Sequence, residues 1–265
     1  MGSFVHKTSG NTHIVAAAGG IEMVMLVRDR KEFFTAFIER EVAARKLKAV
    51  INGSFVNLGK LASLSVVMGS SPLDPAESSA VGEVIQDGHI VAGSSSSGKF
   101  HFSQNTCGAD RFTAGLGDPP ISSCAAVGGI APIVSDGLAY GSINRYRSGV
   151  PMGAPATGNV DAKYLPFLTQ KSNLMFSDLL NRGASVGKTA IGFSSKSKAL
   201  IMLVQEDGTN GLNANEIRSV FVANSVENAV FLDCSDSATL YYDGKFLVNP
   251  GKNKNEFLTI AVGFK

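Results

Sequence analysis

The chain has 265 residues, of which 44% are hydrophobic and 17% are charged, and its formal net charge is +2. Such a chain is long enough for one domain with a sizeable core. The weak net charge argues against a nucleic-acid-binding protein, because that affinity comes from neutralising many phosphates. The longest apolar stretch, residues 14–27, is interrupted by Gly19, Gly20 and Glu22, so we expect no segment that spans a membrane.

The cysteines and histidines predict neither a disulfide framework nor a metal site. Cys107, Cys124 and Cys234 are too few and too scattered, and the four histidines lack ligand spacing. We therefore expect no metal or other cofactor, and a reduced, intracellular protein, with one disulfide bridge as the alternative. No cleavage site typical of a signal peptide follows the first apolar run. The expected location is the cytoplasm or, by a route independent of a signal peptide, the cell exterior.

The N-terminal part of the chain has the pattern strand, helix, strand. Residues 21–27 predict a strand, and residues 30–46 predict a helix because their apolar positions recur at helical spacing. Residues 49–51 predict a short buried strand, which ends in the small polar segment Asn52-Gly53-Ser54-Phe55.

The middle of the chain is rich in turn signals. Asp87-Gly88 lies between two β-rich runs, as does Asp243-Gly244 near the C terminus, and both pairs predict tight hairpins. Residues 94–120 and 149–158 are rich in serine and glycine and predict long surface loops. Residues 173–180 predict a short helix.

The C-terminal part repeats the plan of the N-terminal part. Residues 199–205 predict a strand, residues 214–224 a helix and residues 229–232 a buried strand. This last strand ends in the polar segment Asp233-Cys234-Ser235-Asp236-Ser237. We therefore predict an α+β fold, a single domain over residues 1–265, with a mixed sheet, strand–helix–strand crossovers and β-hairpins. Ligands usually bind at the carboxyl ends of strands in such crossovers, so the two polar segments mark the expected site.

Four motifs in this order resemble those of the phosphodiester glycosidase family. The family motifs are Asn-Gly/Ala-x-Phe, Arg-Thr/Ser-Ala-Ile-Gly, a glycine five residues before Glu-hydrophobic, and Leu-Asp-Gly-Gly-Gly-Ser-Ser/Ala-Thr. The corresponding segments here are Ile51-Asn52-Gly53-Ser54-Phe55, Lys188-Thr189-Ala190-Ile191-Gly192, Gly211-Leu212-Asn213-Ala214-Asn215-Glu216-Ile217 and Leu232-Asp233-Cys234-Ser235-Asp236-Ser237-Ala238-Thr239. The resemblance is best over residues 186–264.

Two departures from the family pattern bear on function. Lys188 stands where the family has arginine, which keeps the charge but loses the bidentate fork. Cys234-Ser235-Asp236 stands where the family has three glycines, whose backbone N–H groups can approach an anion closely. The carboxylate of Asp236 therefore indicates a different substrate, a different chemistry or lost activity.

The resemblance implies hydrolysis of an α-glycosyl phosphodiester at the sugar carbon, and glycoside hydrolysis commonly uses two carboxylates. The candidate catalytic carboxylates are Asp233, Asp236 and Glu216. The candidate substrate-binding residues are Asn52, Lys188, Thr189, Ser235 and Ser237. Structural alternatives remain for several of them: an Asx turn for Asp233, a helix cap formed with Asn213 for Glu216, a solvated surface charge for Lys188 and a turn with Gly53 for Asn52.

Two functions from different classes follow. The first is a glycoside hydrolase that acts on a sugar phosphodiester or a related anionic glycoconjugate, with N-acetylglucosamine as the sugar that the resemblance implies. The second is a non-catalytic protein of the same fold that binds an anionic sugar, as a phage or secretion-associated component would. Both predict a small-molecule or glycan partner with an anionic group, and neither predicts nucleic acid.

Overall fold

The computed structural model describes residues 2–56, 71–95, 100–135, 138–141, 154–155 and 184–265. These residues form three α-helices: α1 (Phe34–Arg45), α2 (Ala214–Ala223) and α3 (Lys252–Phe257). They also form seventeen strands: β1 (Ser3–Ser9), β2 (Thr12–Ala18), β3 (Met23–Val27), β4 (Ala49–Asn52), β5 (Val84–Gln86), β6 (His89–Ala92), β7 (Phe100–Gln104), β8 (Phe112–Leu116), β9 (Ala125–Ser135), β10 (Leu138–Gly141), β11 (Ala154–Pro155), β12 (Lys188–Ser194), β13 (Ala199–Gln205), β14 (Asn228–Phe231), β15 (Leu240–Tyr242), β16 (Lys245–Val248) and β17 (Ile260–Phe264). The helix predicted at residues 173–180 and most of the loop predicted at residues 149–158 lie outside the described residues.

The strands form two antiparallel sheets. The smaller sheet has the order β16-β15-β4-β17-β3. The larger sheet runs β1-β2-β13-β12-β14-β9-β10-β11, and two hairpins, β5–β6 and β7–β8, pair with its long strand β9.

The smaller sheet is buried on both faces. Along β3 and β4, Met25 and Ile51 contribute to the main core shared with the larger sheet. Their neighbours Leu26 and Val50 contribute to a second core with Phe37 of α1. Because successive strand residues point to opposite faces, this alternation places the smaller sheet between the larger sheet and the helix. The C-terminal edge of β4 is therefore enclosed by other elements, which is where the site lies.

The predicted α+β fold with a mixed sheet is wrong, because every strand pair in the described residues is antiparallel. Both predicted helices between strands are present, as α1 and α2. However, β17 pairs between β3 and β4, and β12 pairs between β13 and β14. The strands joined by each helix are thus not neighbours, so neither helix connects two adjacent parallel strands, and the fold is predominantly β.

Both predicted hairpins are confirmed. Asp87 and Gly88 have φ values of 53° and 76°, and Asp243 and Gly244 have values of 46° and 91°. Two consecutive residues with positive φ are typical of the tight turns whose twist matches that of the flanking strands. These turns fix the registers of β5–β6 and β15–β16.

The long surface loop predicted at residues 94–120 is wrong in part, because it contains the hairpin β7–β8. The buried side chains of Phe100, Phe102 and Phe112 hold this hairpin in the main core. Cys107, between the two strands, forms a disulfide with Cys124, with a Cα–Cα distance of 5.2 Å. Of the two expectations for the cysteines, the structure therefore contains the single bridge. No helix in the described residues is long and apolar enough to cross a membrane.

Candidate active site

The two polar segments expected at the site meet in space. Asn52 is the last residue of β4 in the smaller sheet, and Asp233 follows β14 of the larger sheet by two residues. The Nδ2 atom of Asn52 donates to the backbone oxygen of Asp233 at 2.7 Å. The backbone N–H of Asp233 donates to the oxygen of Gly53 at 3.1 Å. The ends of two strands from different sheets are thus joined at one point.

The side-chain amide of Asn52 is committed to protein groups. Its Oδ1 atom accepts hydrogen bonds from Thr189 Oγ1 at 2.7 Å and from the backbone N–H of Thr239 at 3.0 Å. Asn52, Thr189 and Thr239 are fully buried. These contacts favour a positioning role for Asn52 and Thr189 over direct contact with a ligand.

The carboxyl group of Asp233 is buried and held by one hydroxyl. Ser237 Oγ donates to its Oδ2 atom at 2.8 Å. Burial raises the pKa of Asp233 to about 6, against the opposing effects of the Lys254 charge and of hydrogen bonds from Ser237 and the Cys234 N–H. The negative charge of Asp236 raises the pKa further. Asp233 is thus a carboxyl group whose protonation changes close to neutral pH.

The segment after Asp233 folds into a 3-10 turn over Ser235–Ser237. Ser235 has φ of 62°, in the left-handed region that favours glycine, and it occupies the second of the three positions where the family has glycine. Its N–H donates to the oxygen of Gly187 at 2.7 Å. A side chain at Gly187 would clash with the carbonyl of Ser235. The turn therefore packs directly on the start of β12.

Asp236 is contacted by helix α3. Its backbone oxygen accepts a hydrogen bond from the N–H of Gly251 at 2.6 Å. Its Oδ1 atom lies 3.7 Å from Nζ of Lys254. Lys254 carries no motif signal and looks like an ordinary surface lysine in the sequence, so sequence reasoning missed it.

The structure places Lys188 in the interior. Its side chain is buried at the start of β12, and Nζ donates to the backbone oxygens of Val186 at 2.6 Å and Ala184 at 3.4 Å. Burial lowers the pKa of Lys188, and nearby Cys234, Asp207 and Glu216 oppose this. These contacts favour a structural role for the ammonium group over the expected contact with a phosphate.

Glu216 forms the predicted capping pair at the N terminus of α2. Its N–H donates to Asn213 Oδ1 at 2.9 Å, and its Oε2 atom accepts from the Asn213 N–H at 2.7 Å. The side chain is thus used as a helix cap. Among the described residues of the site, its charge acts on Lys188.

Cys234 lies beside Asp233 but is poorly suited to nucleophilic chemistry. The thiol is buried, and burial raises the pKa of Cys234 to about 12. Its Sγ atom lies 3.2 Å from the backbone oxygen of Leu232. Since the thiolate is the reactive form of cysteine, a protonated thiol at this position is a packed side chain.

One group of three side chains in the described residues has the spacing of metal ligands: Asp87, Cys107 and Cys124. Both cysteines are in the disulfide, and a metal binds the thiolate form. The group therefore does not fit a metal in this state, and it lies outside the site around Asp233.

Comparison with solved structures finds a similar fold in the catalytic domain of zebrafish N-acetylglucosamine-1-phosphodiester α-N-acetylglucosaminidase, auto-inhibited by its pro-peptide. The identity is 15%, the TM-score is 0.56, and the match covers 99% of this chain and 81% of that one. A protein from Synechocystis matches at 13% identity and a TM-score of 0.43, over 99% of this chain and 61% of that one. A protein from Burkholderia pseudomallei K96243 matches at 12% identity and a TM-score of 0.49, over 96% of this chain and 73% of that one.

No curated protein matches the sequence. The sequence model of the phosphodiester glycosidase family, in contrast, matches residues 45–264. The match includes the strand end at Asn52, the start of β12 and the segment around Asp233, which the structure brings together. The chain therefore belongs to the phosphodiester glycosidase family.

Proposed function

We propose that the protein is a hydrolase that cleaves the glycosidic bond of a sugar phosphodiester, with Asp233 as the general base. The observation that carries this proposal is the Asp233 carboxyl group, buried between two strand ends with a pKa of about 6. A base with this pKa is mostly ionised at neutral pH, yet it accepts a proton more readily than an ordinary aspartate.

The reaction needs one base and a good leaving group. A water oxygen forms a bond to the anomeric carbon while the bond from that carbon to the phosphodiester oxygen breaks. The electron pair of the broken bond stays on the phosphate, and the proton of the water passes to Asp233. Because a phosphodiester is a good leaving group, the leaving oxygen needs no protonation by a second carboxyl group.

Other residues support Asp233. The Ser237 hydroxyl orients the carboxylate by donating to Oδ2, and the Cys234 N–H also donates to this carboxyl group. Asn52 and Thr189 position the backbone around Asp233. Asp236, whose side chain is 41% exposed, is the second carboxylate that we expected. Its negative charge raises the pKa of Asp233.

The sugar to test first is N-acetylglucosamine, because the zebrafish relative is named for a phosphodiester of that sugar. The test compares release of N-acetylglucosamine from its methyl phosphodiester by wild type, Asp233→Asn and Asp243→Asn. Asp243 is an exposed hairpin aspartate and serves as a matched control. We expect turnover by wild type and Asp243→Asn, and a loss of about 100-fold to 10,000-fold in Asp233→Asn.

The alternative function gives a different result in the same assay. A protein that binds the phosphodiester but turns over no anionic glycoside is the non-catalytic sugar-binding protein. Full activity in Asp233→Asn contradicts the assignment of the base, although not the reaction.

A further inference from the structure

Lys254 lies beside the turn that follows Asp233. Its Nζ atom is 3.7 Å from Asp236 Oδ1 and 4.9 Å from the centre of the Phe257 ring. Its side chain is only 16% exposed, whereas that of Asp236 is 41% exposed. The ammonium group is therefore held in a partly enclosed place at the edge of the site.

The backbone of α3 fixes this position from both ends. Gly251, at the start of the helix, donates its N–H to the oxygen of Asp236 at 2.6 Å. A Cβ atom at Gly251 would lie 2.8 Å from Cβ of Asp236, so only glycine allows this approach. Asn255 accepts a hydrogen bond from the N–H of Thr35 at 2.8 Å, which ties the helix to α1. Lys254 thus faces the turn because of the way α3 is anchored.

The contact between Lys254 and Asp236 is loose enough for a ligand to replace it. Charge-assisted hydrogen bonds between an ammonium and a carboxylate are about 2.7–2.9 Å long, and this pair is separated by 3.7 Å. A partly exposed pair of this kind contributes little to stability. An incoming anion with several acceptor oxygens can therefore replace Asp236 at the ammonium group with little loss of stability.

The charges that act on Asp233 also indicate an anion-binding role for Lys254. In the described residues, the charged side chains that act on its carboxyl group are Lys254 of α3 and Asp236 of the turn. The ammonium of Lys188, the cation expected from the sequence, is instead occupied by backbone carbonyls. Among the described residues, Lys254 is thus the cation whose charge acts on the proposed catalytic carboxyl group.

We propose that Lys254 binds the phosphate of the substrate and exchanges its contact with Asp236 for a phosphate oxygen when the ligand arrives. The inference rests on the proposed function, and it assigns a residue that binds the phosphate of that substrate. It also accounts for the carboxylate of Asp236 at a position where the family has glycine, because Lys254 neutralises that charge in the unliganded protein.

The test measures binding without turnover. The probe is the methyl ester of the C-glycosidic phosphonate analogue of N-acetylglucosamine 1-phosphate, which carries one negative charge and has no glycosidic oxygen to cleave. The measurement is calorimetric titration. We compare wild type with Lys254→Met, Lys254→Arg and Lys252→Met, a control on the exposed side of α3. We expect Lys254→Met to weaken binding by about 10-fold to 100-fold, and the other two variants to stay within about three-fold of wild type.

Two further measurements separate Lys254 from a purely structural lysine. The Asp233 carboxyl carbon is titrated by ¹³C NMR, and we expect a higher pKa in Lys254→Met, because the ammonium favours the charged carboxylate. Asp236→Asn should bind the phosphonate more tightly than wild type and lower the pKa of Asp233, even if Lys254→Met does not fold.

Wild-type affinity in Lys254→Met, or weaker binding in Asp236→Asn, would overturn the inference. If wild type hydrolyses no sugar phosphodiester but Lys254→Met binds the phosphonate more weakly than wild type, the proposed function is wrong and the anion site at Lys254 is supported.

Discussion

The amide of Asn52 reaches from the last position of β4 to the backbone oxygen of Asp233 at 2.7 Å, and so connects the two sheets at the proposed site. The same amide accepts hydrogen bonds from Thr189 and Thr239. One buried side chain of β4 therefore holds two other segments of the chain, one at Thr189 and one over residues 233–239, that are far from it in sequence. The position of the Asp233 carboxyl group depends on this connection.

Asn52→Ala should lower both stability and activity. The substitution leaves the oxygen of Asp233, the hydroxyl of Thr189 and the N–H of Thr239 without their partner in a buried place. We expect a loss of about 2–4 kcal/mol in the free energy of unfolding, measured by urea denaturation. Asn249→Ala, at an exposed position, is the control and should change stability by less than about 0.5 kcal/mol. Equal stability of the two variants contradicts the role given to Asn52.

The pH dependence of activity should report the Asp233 carboxyl group. The base must be ionised, and its pKa is about 6, so kcat/KM should be level above about pH 7 and fall as the pH drops through 6. Ser237→Ala removes a hydrogen bond that favours the carboxylate, so the fall should occur at higher pH in that variant. A profile that is the same in wild type and Ser237→Ala argues against Asp233 as the titrating group.

Asp233 should also make the folded protein less stable as the pH rises. Its pKa is raised from 3.8 in its ordinary state to about 6 in the fold, so the folded state holds the proton more tightly than the unfolded chain. The contribution of this carboxyl group to the free energy of unfolding is therefore largest below pH 4, and that contribution is lost as the pH rises through 6. One pKa unit corresponds to about 1.4 kcal/mol, so the loss reaches up to about 3 kcal/mol.

Asp233→Asn provides the measurement of this effect. As the pH rises from 4 to 7, wild type should lose up to about 3 kcal/mol of unfolding free energy relative to the variant. Asp243→Asn, at an exposed aspartate, should show no such trend. A difference that is constant with pH contradicts the raised pKa.

The local features of this fold could be predicted from the sequence, whereas the pairing of distant strands could not. The hairpin at Asp243-Gly244 follows from two residues that accept positive φ, and α2 follows from its spacing and its Asn213 cap. The insertion of β17 between β3 and β4 joins the chain's C terminus to its N-terminal part. No local pattern encodes that contact, so the predicted mixed sheet was wrong.

In the candidate site, likewise, the sequence predicted some residues and not others. The motifs that contain Asn52, Thr189 and Asp233 indicated the segments that the structure joins by hydrogen bonds. The motif around Lys188 did not show that its ammonium group would be directed at backbone carbonyls. Lys254 lies in a helix with no motif, and only the packing of α3 on the turn places it beside Asp236.

The Cys107–Cys124 disulfide should stabilise the β7–β8 hairpin against β9. It links two cysteines that are 17 residues apart, and closing a loop of this length contributes about 3 kcal/mol. Cys107→Ser/Cys124→Ser should lose about that amount in urea denaturation. Addition of a dithiol reductant should lower the stability of wild type to that of the double variant and leave the double variant unchanged. Wild-type stability that does not respond to complete reduction contradicts this role.

The most direct test of the central claim is the identity of the bond that breaks. Hydrolysis of the methyl phosphodiester of N-acetylglucosamine in H₂¹⁸O places the isotope in the sugar if the bond to the anomeric carbon is cleaved. Cleavage at phosphorus places it in the phosphate, where ³¹P NMR detects it. With Asp233 delivering water to the anomeric carbon, we predict methyl phosphate without ¹⁸O. Methyl phosphate that carries one ¹⁸O atom would contradict the account.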